Sequence, residues 1–114
     1  MHRAINARLS DDERAAFVGY RAGEVEIAPG DIVGMNRSSA PRIDYEWAAG
    51  NEQYKSHCDI VVSVGADAIT TVGGNVGPRP GMVGTKTWVR REGALVNSEK
   101  PTQCVFVVLR STLP

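Results

Sequence analysis

Residues 56–76, SHCDIVVSVGADAITTVGGNV, decide the fold, because their spacing predicts a β-hairpin. Side chains of a strand alternate between its two faces, so residues two apart share a face. One face of the first strand is wholly apolar and carries Cys58, Ile60, Val62 and Val64. The opposite face is mixed and carries His57, Asp59, Val61 and Ser63. We expect the apolar face to lie on the core and the face of His57 to line solvent or a cleft.

The turn of this hairpin determines which residues oppose each other. Ala68 to Asn75 is rich in β-branched residues and ends in two glycines, so it predicts the returning strand. Gly65-Ala66-Asp67 then forms a three-residue turn, and counting back from it places His57 opposite Asn75. Opposed Cβ atoms lie about 4.5 to 5.5 Å apart, so the Asn75 amide could orient the imidazole. A two-residue loop would put Asn75 on the other face.

His57 and Asn75 are therefore the candidate catalytic residues. Cys58 follows His57 in the sequence, but the pleat directs the two side chains to opposite faces. We expect Cys58 to be a small buried hydrophobic residue, as free cysteines usually are. Two structural alternatives stay open. His57 could be a hydrogen-bonded structural histidine, and Asn75 could simply form a turn after two glycines.

Composition limits the classes of function. The 114 residues predict one domain with a single core, and the 13 basic and 13 acidic residues balance. No basic patch indicates nucleic acid, no apolar run approaches a membrane span, and no signal peptide begins the chain. Cys58 and Cys104 are expected to be free thiols, and two distant histidines without paired cysteines predict no metal site. We predict no cofactor.

The first 27 residues are predicted to be helical. Ala4, Ile5 and Leu9 have helical spacing. Residues 10–13, SDDE, resemble a capping box that would begin a second helix carrying Ala15, Ala16 and Phe17. That helix would end at Gly19 or Gly23.

Residues 28–114 are predicted to be mostly antiparallel β structure. Pro29-Gly30 would turn into a strand over residues 31–35, with Asp31 as a turn acceptor. Residues 85–90 and 103–110 read as strands, the latter buried and central, with a polar turn over residues 92–101 between them. The predicted class is α+β, with N-terminal helices followed by a small antiparallel sheet or half-barrel.

Two loops could supply substrate contacts. Residues 36–55 form a long loop with at most one helical turn, and loops of that length are often functional. Trp47 in this loop could wall the cleft beside His57, or it could pack on the sheet edge. In the loop over residues 76–84, Arg79 could meet an anionic group of a ligand, or it could be a solvated charge.

The order of three motifs suggests a family. PGDIV at residues 29–33, SHCDIVVSV at 56–64 and ITTVGGNVG at 69–77 together resemble the NlpC-type and CHAP-type papain-like amidases and peptidases. More closely, the chain resembles an uncharacterised bacterial family of that group, the domain of unknown function 2272, through its SHCDIVV-like strand and GGNV corner. The resemblance covers residues 28–76 well and the flanks weakly.

The resemblance implies a papain-like fold with His57 as the imidazole base and Asn75 as the residue orienting it. In that group the nucleophile is a cysteine at the start of an upstream helix. No cysteine precedes Cys58, and Ser10, the nearest hydroxyl at a helix start, is explained by capping. We therefore expect a fragment that lacks the nucleophile helix.

The leading hypothesis is the histidine-bearing half of a hydrolase that acts on an amide bond in peptidoglycan or a peptide. It is an enzyme only if a nucleophile comes from outside the chain. The alternative is a non-catalytic module with a degenerate site that binds a glycan or a protein. A purely structural subunit that forms homo-oligomers through a sheet edge is a third hypothesis. The compartment stays open, and the cell envelope or secretion would suit the full-length protein.

Overall fold

The computed structural model describes residues 1–12, 14–36, 43–51, 56–74, 83–91, 94–98 and 105–112. They form an α+β fold with a seven-stranded antiparallel sheet in the order β1-β7-β2-β3-β4-β5-β6. The helices are α1 (His2–Leu9) and α2 (Tyr45–Ala49). The strands are β1 (Phe17–Arg21), β2 (Ile32–Asn36), β3 (Ser56–Val64), β4 (Ala68–Gly74), β5 (Val83–Arg91), β6 (Ala94–Ser98) and β7 (Val105–Ser111). In these ranges no helix is long and apolar enough to cross a membrane.

Both helices pack on one face of the sheet, over β1, β7 and β2. Their shared core is aliphatic and aromatic and contains Ala4, Ile5, Ile43, Tyr45, Ala48, Phe106, Val107 and Leu109. A Cβ at Gly19 of β1 would lie 2.9 Å from the backbone nitrogen of Ile5, so only glycine lets α1 approach this closely. The Asn6 amide donates to Ala49 O at 2.9 Å and joins the two helices.

The other face of the sheet encloses a second core. It contains Ile27, Val33, Met35, Val61, Ile69, Trp88 and Val108. Met35 of β2 and Trp88 of β5 have no exposed surface, and Lys86 Nζ of β5 lies 3.8 Å from Met35 Sδ although two strands separate β2 from β5. The sheet therefore curls around this face, and the curl buries a core that neither helix covers.

The predicted second helix is wrong. Only His2–Leu9 is helical within the described part of residues 1–27, and Phe17–Arg21 is an edge strand paired with β7. Asp11 has a φ of 57°, which ends α1, and the Ser10 hydroxyl donates back to Asn6 O at 2.7 Å. The supposed capping box thus follows a helix instead of starting one.

The hairpin of β3 and β4 is confirmed, but its turn is not the predicted one. Gly65 N donates to Ala68 O at 2.8 Å, and Val64 pairs with Ile69, so two residues form the turn. The register then shifts between Val61 and Ser63. Beyond this bulge Val61 pairs with Thr71, as the sequence counting required. The bulge corrects the one-residue offset that the tighter turn introduces.

The predicted faces of β3 are wrong. Asp59 and Val61 are each 1% exposed, whereas Ile60 and Val62 are about half exposed and Cys58 is exposed. The face of His57 is therefore the core face. The apolar face lies beyond the reach of the two short helices, which explains its exposure.

Most remaining strand predictions hold. The Gly30 turn has a φ of 94°, β2 follows it, and Asp31 Oδ2 accepts from Ala28 N at 2.9 Å, which confirms the turn acceptor. The last strand is central, between β1 and β2, and residues 106–109 are buried.

The expected helical turn in the long loop is α2, where Asp44 Oδ1 accepts from Trp47 N. The polar turn over residues 92–101 is wrong, because residues 94–98 pair with β5.

Candidate functional site

The candidate site is a buried carboxylate beside a partly exposed imidazole. His57 and Asp59 lie two residues apart on β3 and therefore share its inner face. His57 Nε2 is 2.8 Å from Asp59 Oδ1, and the His57 side chain is 15% exposed while that of Asp59 is fully buried. The two atoms are in contact without hydrogen-bond geometry, and both are buried with no other hydrogen-bond partner. Such contacts often tighten only when substrate binds.

Asp59 has partners on β4 and β5, the next two strands of the sheet after β3. Its Oδ2 accepts from the Thr71 hydroxyl of β4 at 3.0 Å, and that hydroxyl accepts from Trp88 Nε1 of β5 at 3.0 Å. Lys86 Nζ lies 3.8 Å from the same Oδ2 and 5.6 Å from the centre of the Trp88 ring. The cluster of His57, Asp59, Thr71, Lys86 and Trp88 is called the polar cluster below.

A glycine makes room for this carboxylate. Gly73 lies on β4, on the face that Asp59 occupies, and a Cβ there would overlap Asp59 Oδ1 and lie 3.1 Å from His57 Nε2. Isolated glycines within strands often mark such close approaches. Gly73 is therefore part of the site's geometry, although it carries no functional group.

The electrostatics of the polar cluster favour a charged carboxylate. A buried carboxylate is costly unless it is paired and hydrogen-bonded. Asp59 has the Lys86 ammonium nearby and accepts a hydrogen bond from Thr71. The imidazole of His57 therefore lies beside a carboxylate that also has an ammonium group nearby. A neutral, oriented imidazole is the form that accepts a proton in general base catalysis.

The structure describes His57 and Trp47 among the predicted site residues. His57 is in the polar cluster, while Asn75 and Arg79 lie outside the described residues, so their roles stay predictions. Trp47 is 46% exposed on α2, and α2 packs on the sheet face opposite to His57. The structure does not bring Trp47 and His57 together in one cleft.

Cys58 is not a buried hydrophobic residue, and it is not activated. Its side chain lies on the outer face of β3, yet desolvation by neighbouring atoms raises the pKa of its thiol, and the N-terminal amino group lowers it by less. A raised pKa leaves less thiolate at neutral pH.

We therefore expect Cys58 to alkylate more slowly than a free cysteine at pH 7 and to approach its rate only as the pH rises. Iodoacetamide kinetics followed by mass spectrometry on a Cys104→Ser background would measure this. A Cys58 that reacts as fast at pH 6 as at pH 9 would contradict the expectation.

Sequence reasoning missed most of the polar cluster. The signal for Asp59 was its two-residue spacing from His57, which places both on one face. The signal for Gly73 was a lone glycine in a β-branched strand. Thr71 could be placed from the hairpin register, but Lys86 and Trp88 depend on the β4–β5 register and on sheet curl, which no local pattern predicts.

Comparison with known proteins identifies a family without an activity. The model of the family described as "Uncharacterized protein conserved in bacteria (DUF2272)" matches residues 2–110. No curated protein and no solved structure matches. The predicted bacterial family is confirmed, whereas nothing in these comparisons supports the relation to the NlpC-type and CHAP-type enzymes or a papain-like fold.

Proposed function

Because this chain belongs to the DUF2272 family of uncharacterised bacterial proteins, we propose a function from its own geometry. The chain is the histidine-bearing half of a papain-like hydrolase fold. His57 is its general base and acid, Asp59 orients the imidazole, and the substrate is an amide bond in peptidoglycan or a peptide. The nucleophile comes from outside residues 1–114.

One observation carries this proposal, namely the 2.8 Å approach of Asp59 Oδ1 to His57 Nε2. A carboxylate at Nε2 favours the tautomer with the proton on that nitrogen. Nδ1 is then the nitrogen with a free electron pair, which can accept a proton. In this proposal Asp59 orients the imidazole from Nε2, and the orienting role of Asn75 stays a prediction.

The chemistry follows from these positions. Nδ1 of His57 removes the proton from an attacking thiol or hydroxyl as that atom bonds to the amide carbon. The imidazolium, stabilised by Asp59, then gives the proton to the amine as the carbon–nitrogen bond breaks. In the second half, His57 removes a proton from water, which attacks the acyl group and releases the nucleophile.

The described residues of the chain offer no nucleophile to His57. Thr71 is the hydroxyl of the polar cluster, but it is fully buried, and its oxygen is engaged by both Trp88 and Asp59. Cys58 lies on the opposite face of β3. We therefore expect no amide turnover from the isolated chain.

The general base can be tested with an external nucleophile. We expect the protein to accelerate the reaction of a small thiol with an activated ester, such as a nitrophenyl ester of an N-acyl amino acid. General base catalysis typically contributes about 10² to 10⁴-fold, and the lower end is expected here because the thiol is not held in place. The measurement is nitrophenolate release over background.

The chain provides a matched control in its second histidine. His57→Ala should remove the acceleration, whereas His2→Ala should keep it. His2 lies on α1, where its Nδ1 is 3.2 Å from Ala48 O of α2, away from the polar cluster. Equal rates for His57→Ala and the unchanged protein would reject His57 as a base. Amide hydrolysis by the isolated chain that depends on His57 would reject the external nucleophile.

A non-catalytic binding module is the second candidate. It is favoured by the lack of a thiol on the face of His57 among the described residues. In co-sedimentation with purified peptidoglycan, such a module would bind, and the ester assay would show no dependence on His57.

A further inference from the structure

We infer that Thr71 and Trp88 are positioning residues, which act on His57 through Asp59. Two hydrogen bonds in series, from Trp88 Nε1 to Thr71 Oγ1 and from Thr71 Oγ1 to Asp59 Oδ2, fix the carboxylate so that Oδ1 faces the imidazole. This inference deepens the proposed function, and the catalytic role of Thr71 and Trp88 rests on that function. Its structural content can be tested without any activity.

The direction of these two hydrogen bonds is determined by which groups can donate a proton. An indole N–H can only donate, so the Thr71 oxygen is the acceptor of that bond. The single proton of the hydroxyl is then available to donate to Asp59, and an ionised carboxylate can only accept. Each donor therefore has one acceptor, and the arrangement has no equivalent reversed form.

Packing holds the Trp88 indole, the first donor of the two hydrogen bonds, in place. Trp88 has no exposed surface and lies in the second core with Met35 and Ile69. It pairs with Ile69 across the ladder, so its indole reaches diagonally to Thr71, two residues along β4. The buried indole therefore holds the Thr71 hydroxyl in place, and that hydroxyl holds the Asp59 carboxylate on β3.

These hydrogen bonds fix the plane of the Asp59 carboxylate. With Oδ2 held by Thr71, rotation of the carboxylate would break a buried hydrogen bond to a charged group, and such bonds are roughly twice as strong as neutral ones. Oδ1 therefore stays near His57 Nε2, and Nδ1 stays directed away from the carboxylate. Without Thr71 the carboxylate could turn or pair with Lys86 alone.

The test reads the imidazole proton directly. In protein labelled with ¹⁵N-histidine, at a pH where the ring is neutral, we expect a resolved Nε2–H signal for His57 with slow solvent exchange. Thr71→Val removes the hydroxyl and keeps the side-chain shape. Its Nε2–H exchange should rise about tenfold or more, the factor expected for losing one hydrogen bond to a charged group. The Val61 backbone amide serves as the reference for global opening.

Three other variants separate positioning from simple destabilisation. Thr71→Ser restores the hydroxyl and should restore slow exchange, and Trp88→Phe removes the donor but keeps a large ring, so it should show a partial rise. Thr70→Val changes the adjacent threonine on the opposite face and should leave the signal unchanged. If Thr71→Val does not fold, Thr71→Ser and Trp88→Phe still decide the question.

The outcomes distinguish the two proposals. Unchanged Nε2–H exchange in folded Thr71→Val, or in Trp88→Phe where Thr71→Val does not fold, would overturn the positioning role, even if the ester assay shows that His57 is a base. A rise in Thr71→Val and Trp88→Phe that Thr71→Ser reverses would support positioning, even if the ester assay fails and the proposed function falls.

Discussion

Gly73→Ala is expected to disrupt the His57–Asp59 arrangement and to lower the free energy of unfolding by about 3 kcal/mol or more. The new methyl group would overlap Asp59 Oδ1, a fully buried atom. Either the carboxylate leaves its partners or β4 moves away from β3. A loss of this size corresponds to a fall of roughly 12 °C or more in the melting temperature of a domain of this length.

The next residue provides the matched control. A Cβ at Gly74 meets no atom within 4 Å, and its φ lies outside the left-handed region, so Gly74→Ala should be neutral or slightly stabilising. Thermal unfolding by circular dichroism would compare the two variants. If both variants unfold at the temperature of the unchanged protein, the close approach of Asp59 to Gly73 is not present in solution.

The register of the hairpin could be predicted from the sequence, although for the wrong reason. Counting from a three-residue turn gives the pairing of Val61 with Thr71, and the structure has that pairing. It arises from a two-residue turn together with a bulge, which a count of turn residues cannot separate from a longer turn. Two compensating irregularities leave no signal in the hydrophobic pattern.

The faces of β3 could not be predicted from apolar alternation, because the alternation indicates the wrong side. Burial of Asp59 depends on Thr71, Lys86 and Trp88, which lie on two other strands. A polar residue enters a core only where partners satisfy it. Those partners come from pairings distant in sequence, so a rule that counts apolar residues on one strand assigns the charged face to solvent.

The same reasoning explains why the first strand was missed. The acidic run after Leu9 has the composition of a helix start, but Asp11 adopts a left-handed conformation that ends α1. The strand that follows is held by its pairing with β7, almost 90 residues later in the chain. Local propensity is a weak guide where tertiary pairing decides.

Lys86→Met is the second variant with a large expected effect, because it would leave the Asp59 carboxylate buried without the ammonium beside it. Removing one partner of a buried ion pair typically costs about 3 to 5 kcal/mol, and we expect about 3 here because His57 and Thr71 still contact the carboxylate. Methionine keeps most of the unbranched apolar stem of lysine, so lost packing contributes little. Urea unfolding at pH 7 would measure the change.

A second substitution should reverse the loss. In Asp59→Asn/Lys86→Met no buried charge is left unpaired, so most of the lost stability should return, although the imidazole loses its carboxylate and the ester assay should lose its dependence on His57. Lys86→Arg keeps the positive charge and should retain most of the stability. If Lys86→Met is as stable as the unchanged protein, the Lys86 ammonium does not compensate a buried Asp59 carboxylate in the folded state. The stability of one lysine variant therefore tests the charge state on which the proposed chemistry depends.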